Sequence, residues 1–203
     1  MTVPLPFAGN SNELALPGAE LCYSEQWLPA AQADALLLAL RESIDWQTHR
    51  IRLFGRNVDS PRLSSWIGDA GSAYTYSGVR FQPHAWPAAL VPVRQRLVQE
   101  LGCEFNSVLA NLYRDGGDCM GWHADNEAEL GRQPVIASLS LGAARRFVLK
   151  NPREPSRKLG IALPHGSLLV MGGDTQQNYR HALPRTAKPV GERINLTFRR
   201  IIA

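Results

Sequence analysis

The segment that decides the fold is the alternating run Arg193-Ile194-Asn195-Leu196-Thr197-Phe198-Arg199. Successive side chains of a β-strand point to opposite faces, so this run predicts a strand with one apolar and one polar face. The apolar face belongs in a hydrophobic core. The polar face, which carries Arg193 and Arg199, lies either toward a cavity or toward solvent. On this run alone, an edge strand with solvated arginines carries at least equal weight.

A cavity would give the two arginines a purpose, because buried guanidinium groups require anionic partners. A small dicarboxylate would serve: one arginine would hold its remote carboxylate and the other the end that chelates a metal. Asn111 and Tyr113 alternate in the same way within residues 108–113 and could add hydrogen bonds to the same acid.

The rest of the chain supports a fold of mixed class. Two helical patterns come first, from Pro29 to about Ile44 and from Pro87 to Leu101, with Gly102 placed to end the second. Residues 50–78 are typical of loops and short strands. Short runs separated by Gly, Pro and Asn then predict strands at residues 107–113, 135–141, 146–150, 167–171 and 193–201. We expect an α+β domain with a double-stranded β-helix (jelly-roll) core and N-terminal helices packed on one sheet.

Length and composition favour one soluble domain. The chain has 203 residues, 44% of them hydrophobic, and a formal net charge of +4. We expect residues 1–20 to be an extended segment and residues 21–203 to be a single domain. The three cysteines form no CxxC pair, no secretory signal is visible, and no apolar run is long enough to span a bilayer. We therefore expect a cytoplasmic protein with no membrane partner. A monomer is the expected oligomeric state, although the sequence leaves this open.

The sharpest local motif is Gly121-Trp122-His123-Ala124-Asp125. In an extended segment His123 and Asp125 point to the same side and can occupy two adjacent positions on a metal ion. A third ligand would complete a two-histidine, one-carboxylate triad with an open face. His181 is the candidate, but histidine spacing alone does not prefer it to His165, and a His-x-Asp triplet is common by chance.

Taken together and in order, these residues resemble the AlkB family of dioxygenases. The set is Asn111-x-Tyr113, His123-x-Asp125, His181 and Arg193-x-Asn195-x-x-x-Arg199, and the likeness covers roughly Arg50 to the C-terminus. It is nearest to the branch that repairs alkylated DNA and RNA. The resemblance implies Fe(II) bound by His123, Asp125 and His181, and 2-oxoglutarate bound by Asn111, Tyr113, Arg193 and Arg199 with support from Asn195. It also implies oxidative demethylation of N-alkylated bases with O2, releasing succinate, CO2 and formaldehyde.

The same resemblance assigns substrate-recognition loops to residues 50–80. Phe54 matches an intercalating finger residue, and Tyr76 matches the aromatic ring that sandwiches a base against His123. Tyr74 and Ser77 belong to the same segment, although both tyrosines would also suit a core. Alkylated DNA is the expected partner, with RNA left open.

One position departs from the pattern. Asn126 follows the metal aspartate where the nearest repair enzymes carry an acid, so recognition of a cationic base would pass to Glu127. The preferred lesion therefore stays open.

Two basic stretches are suited to phosphate contacts, although charge runs are usually solvated surface. Their members are Arg50, Arg52, Arg56 and Arg62, and Arg145, Arg146, Lys150, Arg153, Arg157 and Lys158.

Three alternatives use the same residues differently. An oxygenase acting on a protein or small molecule would keep the iron and 2-oxoglutarate residues but not depend on Phe54, Tyr76 or the basic stretches. A non-catalytic β-sandwich module would turn over no 2-oxoglutarate. A zinc hydrolase could use the triad but not the paired arginines.

Overall fold

Antiparallel β-strands dominate the protein, whose structure is a computed structural model. It describes residues 12–53, 56–72, 74–76 and 79–202, and within residues 50–57 and 73–81 only the backbone. The strands of this described part are β1 (Asn12–Glu13), β2 (Glu20–Ser24), β3 (Arg50–Leu53), β4 (Arg56–Asp59), β5 (Leu63–Gly68), β6 (Tyr74–Tyr76), β7 (Val79–Phe81), β8 (Ser107–Tyr113), β9 (Met120–His123), β10 (Ile136–Gly142), β11 (Arg145–Lys150), β12 (Lys158–Leu163), β13 (Leu168–Gly172), β14 (Arg180–Leu183) and β15 (Arg193–Arg199). Its α-helices are α1 (Ala30–Ser43), α2 (Val91–Leu101) and the single turn α3 (Thr175–Asn178).

Two sheets form the body of the fold. The larger has seven strands in the order β1-β2-β13-β10-β15-β8-β5, and the smaller has four in the order β12-β11-β14-β9. Each neighbouring pair is antiparallel. The pairs β3-β4 and β6-β7 form separate two-stranded sheets. The predicted jelly-roll arrangement of antiparallel sheets is confirmed.

The seven-stranded sheet has two different faces. Side chains on one face join the helices in a single apolar cluster, in which Leu36 and Leu40 of α1, Val93 and Leu97 of α2, and Leu196 of β15 take part. The opposite face turns toward the four-stranded sheet. One end of the space between the sheets is filled by a second apolar cluster, which includes Leu149 and Leu169. The other end is lined by polar side chains.

The helices form close to where their periodicity predicts them. Helix α1 begins one residue after Pro29, whose fixed φ suits a helix start, and buries Ala33, Leu36 and Leu40. Helix α2 follows a 3₁₀ turn at Ala88–Leu90 and ends at Gly102, which adopts φ 63°, a left-handed conformation that costs glycine little.

Strand predictions were accurate where alternation is strong. β8 matches the predicted range, and β15 ends two residues earlier than expected. The sequence did not predict β12, β14 or β2. The predicted extended segment 1–20 lies partly outside the described residues, and Asn12–Glu13 pairs with β2. Among the described residues, no helix is long and apolar enough to cross a membrane.

Candidate active site

The three candidate metal ligands come from two neighbouring strands of the four-stranded sheet. His123 is the last residue of β9, and His181 on β14 is its registered partner across the ladder. Asp125 was expected in the same extended run as His123, but β9 ends at His123 and Asp125 lies just beyond it. The strand ends there, yet the side chain still turns inward and is buried.

The ligand atoms of these residues converge on one point. One ligand atom from each of His123, Asp125 and His181 lies within 4.8 Å of the other two. Nε2 of His123 is 4.0 Å from Oδ1 of Asp125, and Nε2 of His181 is 3.8 Å from Oδ2. His165, which the sequence could not separate from His181, lies elsewhere, with Nε2 3.3 Å from Asp34 on α1.

Hydrogen bonds fix the orientation of two ligands. The ring Nδ1 of His123 is 2.8 Å from the carbonyl oxygen of Gly121, so Nδ1–H donates and Nε2 keeps a lone pair for a metal. Nη2 of Arg199 donates to Oδ1 of Asp125 at 2.7 Å. The backbone N–H of Asp125 donates to Oε1 of Gln176 at 2.9 Å. Oδ2 of Asp125 accepts no hydrogen bond among the described residues.

Electrostatics keep this cluster in the protonation states that a metal requires. Burial lowers the pKa of His181 to about 3, with the nearby His123 imidazole adding to the effect. Burial also lowers the pKa of His123. Burial alone would raise the pKa of Asp125, but Arg199 and the two imidazoles outweigh it and hold that pKa below its usual range. Two neutral imidazoles and one carboxylate therefore coexist at neutral pH.

The polar face of the seven-stranded sheet forms the opposite wall of the same cavity. Strand register aligns Asn111 of β8, Asn195 of β15 and Ser140 of β10 in one row. Tyr113 and Arg193 are partners in the next row. All except Ser140 line the cavity that the triad enters. The alternative of a solvated arginine strand is wrong, since Arg193 and Arg199 are 1% and 3% exposed.

Within the described part of the chain, Arg193 is a buried cation with two nitrogens that donate no hydrogen bond. Its Nη2 donates to Oγ of Ser140 at 2.9 Å, but Nε and Nη1 donate no hydrogen bond among the described residues. The guanidinium carbon lies 5.3 Å from the ring centre of Tyr113. Burial lowers the pKa of Arg193 to about 10, which leaves the side chain charged at neutral pH. A buried cation of this kind requires an anionic partner.

Hydrogen bonds from polar residues hold this wall in place, and the sequence had not predicted Arg62, Ser138 or Ser140 here. Nε of Arg62 donates to Oδ1 of Asn111 at 2.7 Å, which leaves the amide NH2 of Asn111 to donate elsewhere. Asn195 donates to Oγ of Ser138 at 2.8 Å. The alternation of Ser138 and Ser140 along β10 could have identified both serines, because it places them on the same face as the arginines. The residue type of Arg62 gave no such signal.

Two arginines predicted to contact phosphates have other partners. Arg62 is 5% exposed and bonds to Asn111. Arg145 is 3% exposed and donates to the backbone carbonyls of Asp115, Asp118 and Pro184. For these two, the expected surface role is wrong: burial would be unfavourable unless several carbonyls or an amide satisfied the guanidinium.

The predicted base-recognition residues are only partly visible. Phe54 and Ser77 lie outside the described residues. Tyr74 and Tyr76 begin and end β6, but only their backbone is described. Asn126 is exposed, and Glu127 is half-buried next to it. These assignments stay predictions.

The donor set fits a ferrous ion and a dicarboxylate. Two neutral imidazoles and a carboxylate, with one carboxylate oxygen free of hydrogen bonds within the described part of the chain, match a facial triad. Arg193, buried with spare donors in the same cavity, matches an anion. The fold and the cavity together define a metal-dependent oxygenase that uses an organic acid as co-substrate.

Comparisons with known proteins agree with this class. The sequence profile of the 2OG-Fe(II) oxygenase superfamily matches residues 20–199. Mouse (Mus musculus) DNA oxidative demethylase ALKBH2 is 36% identical over 216 residues, covering 98% of this chain and 90% of the relative. Human ALKBH2 is 38% identical over 182 residues, covering 85% of this chain and 70% of the relative.

Two further matches extend the picture. Human alpha-ketoglutarate-dependent dioxygenase alkB homolog 3 is 34% identical over 192 residues, covering 90% of this chain and 66% of the relative. The solved structure of OsALKBH1 covers 94% of this chain and 99% of its own length with a TM-score of 0.65, and at 16% identity it supports the fold alone. The chain belongs to the AlkB family of the 2OG-Fe(II) oxygenase superfamily. It is an Fe(II)- and 2-oxoglutarate-dependent dioxygenase.

Proposed function

We propose that this protein oxidatively demethylates N-alkylated bases in DNA, consuming O2 and 2-oxoglutarate and releasing succinate, CO2 and formaldehyde. The observation that carries the chemistry is the single cavity in which the His123–Asp125–His181 cluster faces the buried Arg193. The similarity to DNA oxidative demethylases over almost the whole chain carries the substrate.

The residues divide the work between the two sheets. His123, Asp125 and His181 would hold Fe(II), which when bound supplies the oxidation of the alkyl carbon coupled to decarboxylation of 2-oxoglutarate. Arg193 would neutralise the remote carboxylate, with a hydrogen bond from the hydroxyl of Tyr113. Asn111, oriented by Arg62, would donate its amide NH2 to the same molecule.

Arg199 has a double role in this proposal. Its Nη2 bonds the metal carboxylate of Asp125, so it ties the larger sheet to the metal side of the cavity. In that position the guanidinium would also stabilise the chelating carboxylate of 2-oxoglutarate. Asn195 supports the wall through Ser138 rather than by reaching across the cavity.

The apolar part of the lining excludes water. Met120, Phe147, Met171 and Leu183 line the same cavity as the triad. A dry site protects a reactive oxidant from side reactions and strengthens each charge–charge contact inside it. The chain's contribution is therefore to position reactants and exclude solvent, with no side-chain acid or nucleophile required.

The outward face of the four-stranded sheet supports a polyanionic substrate. Lys150 on β11 is the registered partner of both Lys158 on β12 and Arg180 on β14, so three cations lie in a row. Like charges placed opposite one another destabilise a sheet unless an anion compensates them. Arg146 is exposed on the same face, and none of the four strands carries an acidic residue.

An exposed aromatic ring lies beside this row. Trp122 is 50% exposed and alternates with His123, so it faces outward where His123 faces the metal. A row of cations for phosphates and a ring for stacking are the usual components of a nucleic-acid surface. We include RNA as a further substrate only as an arm of the test below.

Three further proposals concern the role of the helices, the oligomeric state and the cellular location of the protein. We propose that α1 and α2 stiffen the seven-stranded sheet from its apolar side, and that the protein acts as a monomer in the cytoplasm. Cys103 and Cys119 are free thiols, which agrees with a reducing compartment.

The function is tested by measuring products. Protein loaded anaerobically with Fe(II) would be given 2-oxoglutarate, O2 and DNA oligonucleotides that carry N-methylated bases, matched unmethylated DNA, or methylated RNA. We expect succinate, formaldehyde and restored bases with methylated DNA, at rates well above the unmethylated control. Turnover of 2-oxoglutarate that no methylated nucleic acid stimulates would sink the proposal.

The charged row is tested by salt dependence. Replacing Lys150 and Arg180 together by Ala should reduce the slope of log affinity for duplex DNA against log salt by roughly two units, about 0.9 for each phosphate that a side chain no longer neutralises. Arg41→Ala is the control, because Arg41 is an exposed cation on α1, away from this sheet. An unchanged slope in the double variant would remove the row from the DNA surface.

The finger residue predicted from the sequence has its own test. Phe54→Ala should slow demethylation of duplex DNA more than of single-stranded DNA, because a wedge is needed only where a base must leave a stack. Equal losses on the two substrates would contradict the wedge.

A further inference from the structure

We infer that Gln176 is a positioning residue for the metal carboxylate: its side-chain oxygen holds the backbone of Asp125 so that the carboxylate faces the metal. Gln176 lies on α3, five residues before His181, and is 2% exposed. The inference rests on the metal site alone and holds for any substrate of the enzyme.

Asp125 needs an external support because it lies beyond the end of β9. A residue inside a strand is oriented by its ladder hydrogen bonds, which Asp125 lacks. Its buried backbone N–H donates instead to Oε1 of Gln176 at 2.9 Å. The side-chain oxygen of Gln176 thus takes the place of a neighbouring strand.

Gln176 is itself held firmly. Its Nε2 contacts Sδ of Met171 at 3.5 Å, so both ends of the amide have partners and the amide orientation is set. The turn that carries it is anchored to the N-terminal part of the chain. Oγ1 of Thr175 accepts from the backbone N–H of Glu20 at 2.9 Å, and the hydroxyl of Tyr179 donates to the carbonyl of Pro17 at 2.6 Å.

The arrangement joins the triad into one mechanical unit. α3 leads directly into β14, which carries His181, and through Gln176 it also holds Asp125. On the other side, Arg199 holds the carboxylate oxygen of Asp125. The backbone of Asp125 is therefore fixed by α3, and its side chain by β15. This leaves Oδ2 directed at His181 and the metal position.

Metal affinity gives a readout that a merely structural role would not move. We would measure binding of Mn(II), a stand-in for Fe(II) that does not oxidise, by the electron paramagnetic resonance signal of the free ion. Gln176→Leu keeps the size but removes the acceptor, and we expect its affinity to fall by about 10- to 100-fold, the usual effect of losing a residue that orients a metal ligand.

Two companion variants separate orientation from packing. Gln176→Glu retains an oxygen acceptor in either protonation state and should bind Mn(II) within a few-fold of the parent. Gln177→Leu makes the same chemical change one residue away at an exposed position and should leave the affinity unchanged. A folded Gln176→Leu protein with parental affinity, or a Gln176→Glu protein as weak as Gln176→Leu, would overturn the inference.

A measurement on the unmodified protein keeps the inference open to refutation if Gln176→Leu does not fold. Hydrogen exchange followed by NMR should show the Asp125 amide strongly protected, although it lies outside any strand. Rapid exchange of that amide would refute the hydrogen bond on which the inference depends. Failure of DNA demethylation with normal Mn(II) binding would instead count only against the proposed substrate.

Discussion

The two faces of strand β15 are both buried, yet they do opposite things for the protein. Ile194, Leu196 and Phe198 are fully buried in the cluster with the helices. Arg193 and Arg199 are almost as buried on the cavity side. One face stabilises the fold by removing apolar surface from water, at about 1.5–3 kcal/mol per large side chain. The other carries charges that cost free energy to bury.

This difference agrees with the proposal that 2-oxoglutarate binds to the polar face. Arg199 donates to Asp125, whereas Nε and Nη1 of Arg193 have no hydrogen-bond partner among the described residues and are placed to bind an anion. Removing residues from the two faces should therefore separate stability from activity: changes on the apolar face weaken the fold, and changes on the polar face weaken catalysis.

The largest expected effect lies at the metal. His123→Ala should lower succinate formation to the level without protein. The free energy of unfolding should change little, because among the described residues the ring of His123 makes one hydrogen bond, to the carbonyl of Gly121. Asp125→Ala should be equally inactive and should also lose about 3–5 kcal/mol of stability, because the buried charge of Arg199 loses its carboxylate partner. Product assays and urea unfolding check both variants. Wild-type turnover in His123→Ala would remove the metal assignment.

The next largest effect separates activity from stability within one variant. Arg193→Leu should raise the KM for 2-oxoglutarate by about 30-fold or more, the consequence of losing one partner of a buried charge pair. The metal-free protein should become no less stable, and by up to about 4 kcal/mol more stable, because an incompletely bonded buried cation is replaced by an apolar side chain. Steady-state kinetics and thermal unfolding measure the two. A destabilised Arg193→Leu protein with normal KM would reverse the comparison.

The complementary experiment changes a residue on the apolar face of β15. Leu196→Ala should cost about 2–5 kcal/mol of stability because it leaves a cavity in the main cluster. At temperatures where the protein stays folded, its KM for 2-oxoglutarate should equal that of the parent. A large rise in KM would mean that the two faces are coupled.

The smallest effect concerns the edge of the apolar face, where Trp86 stacks on Phe198. Asp69 accepts hydrogen bonds from Trp86 and from both terminal nitrogens of Arg94 on α2. Burial works to raise the pKa of Asp69, but these donors outweigh it, so the pKa lies below its ordinary value of 3.8.

A group with a depressed pKa stabilises the fold above its unfolded pKa, and this stabilisation is lost as pH falls through the folded value. Asp69→Asn should therefore be less stable than the parent at pH 7 by about 1 kcal/mol or less, given the exposure of the pair. The difference in unfolding midpoint should shrink below about pH 4, the unfolded pKa of an aspartate. A difference that persists at about pH 2, where the carboxyl is protonated in both states, would point to packing rather than charge.

Both faces of β15, and the helices that pack on its apolar face, were predictable from the sequence. The alternation of β8 and β15 predicted both strands and the polar face, and the 3.6-residue spacing predicted α1 and α2. These patterns are local, so one sequence suffices to read them. Strand order was not predictable, because it depends on pairing between segments far apart, such as β2 with β13.

The positions of Arg62 and Arg145 were not predicted from the sequence, and the reason is the same for both. A buried arginine cannot be told from a solvated one in the sequence, because the partners that determine its burial lie far away along the chain. Asn111 lies 49 residues from Arg62, and the three carbonyls that hold Arg145 come from separate positions along the chain. Gln176 was missed for the same reason, since its partner Asp125 is 51 residues away.

The position of β9 at the edge of its sheet has a consequence for how the gene can change. Within the described part of the chain β9 has a single neighbour, β14, and its pairing is already irregular between His181 and Leu183. A shift of one residue would turn Trp122 into the cavity and His123 out to solvent. If an insertion or deletion of one residue in the turn before β9 produced that shift, it would exchange an iron ligand for an indole, so the metal site depends on the length of that turn.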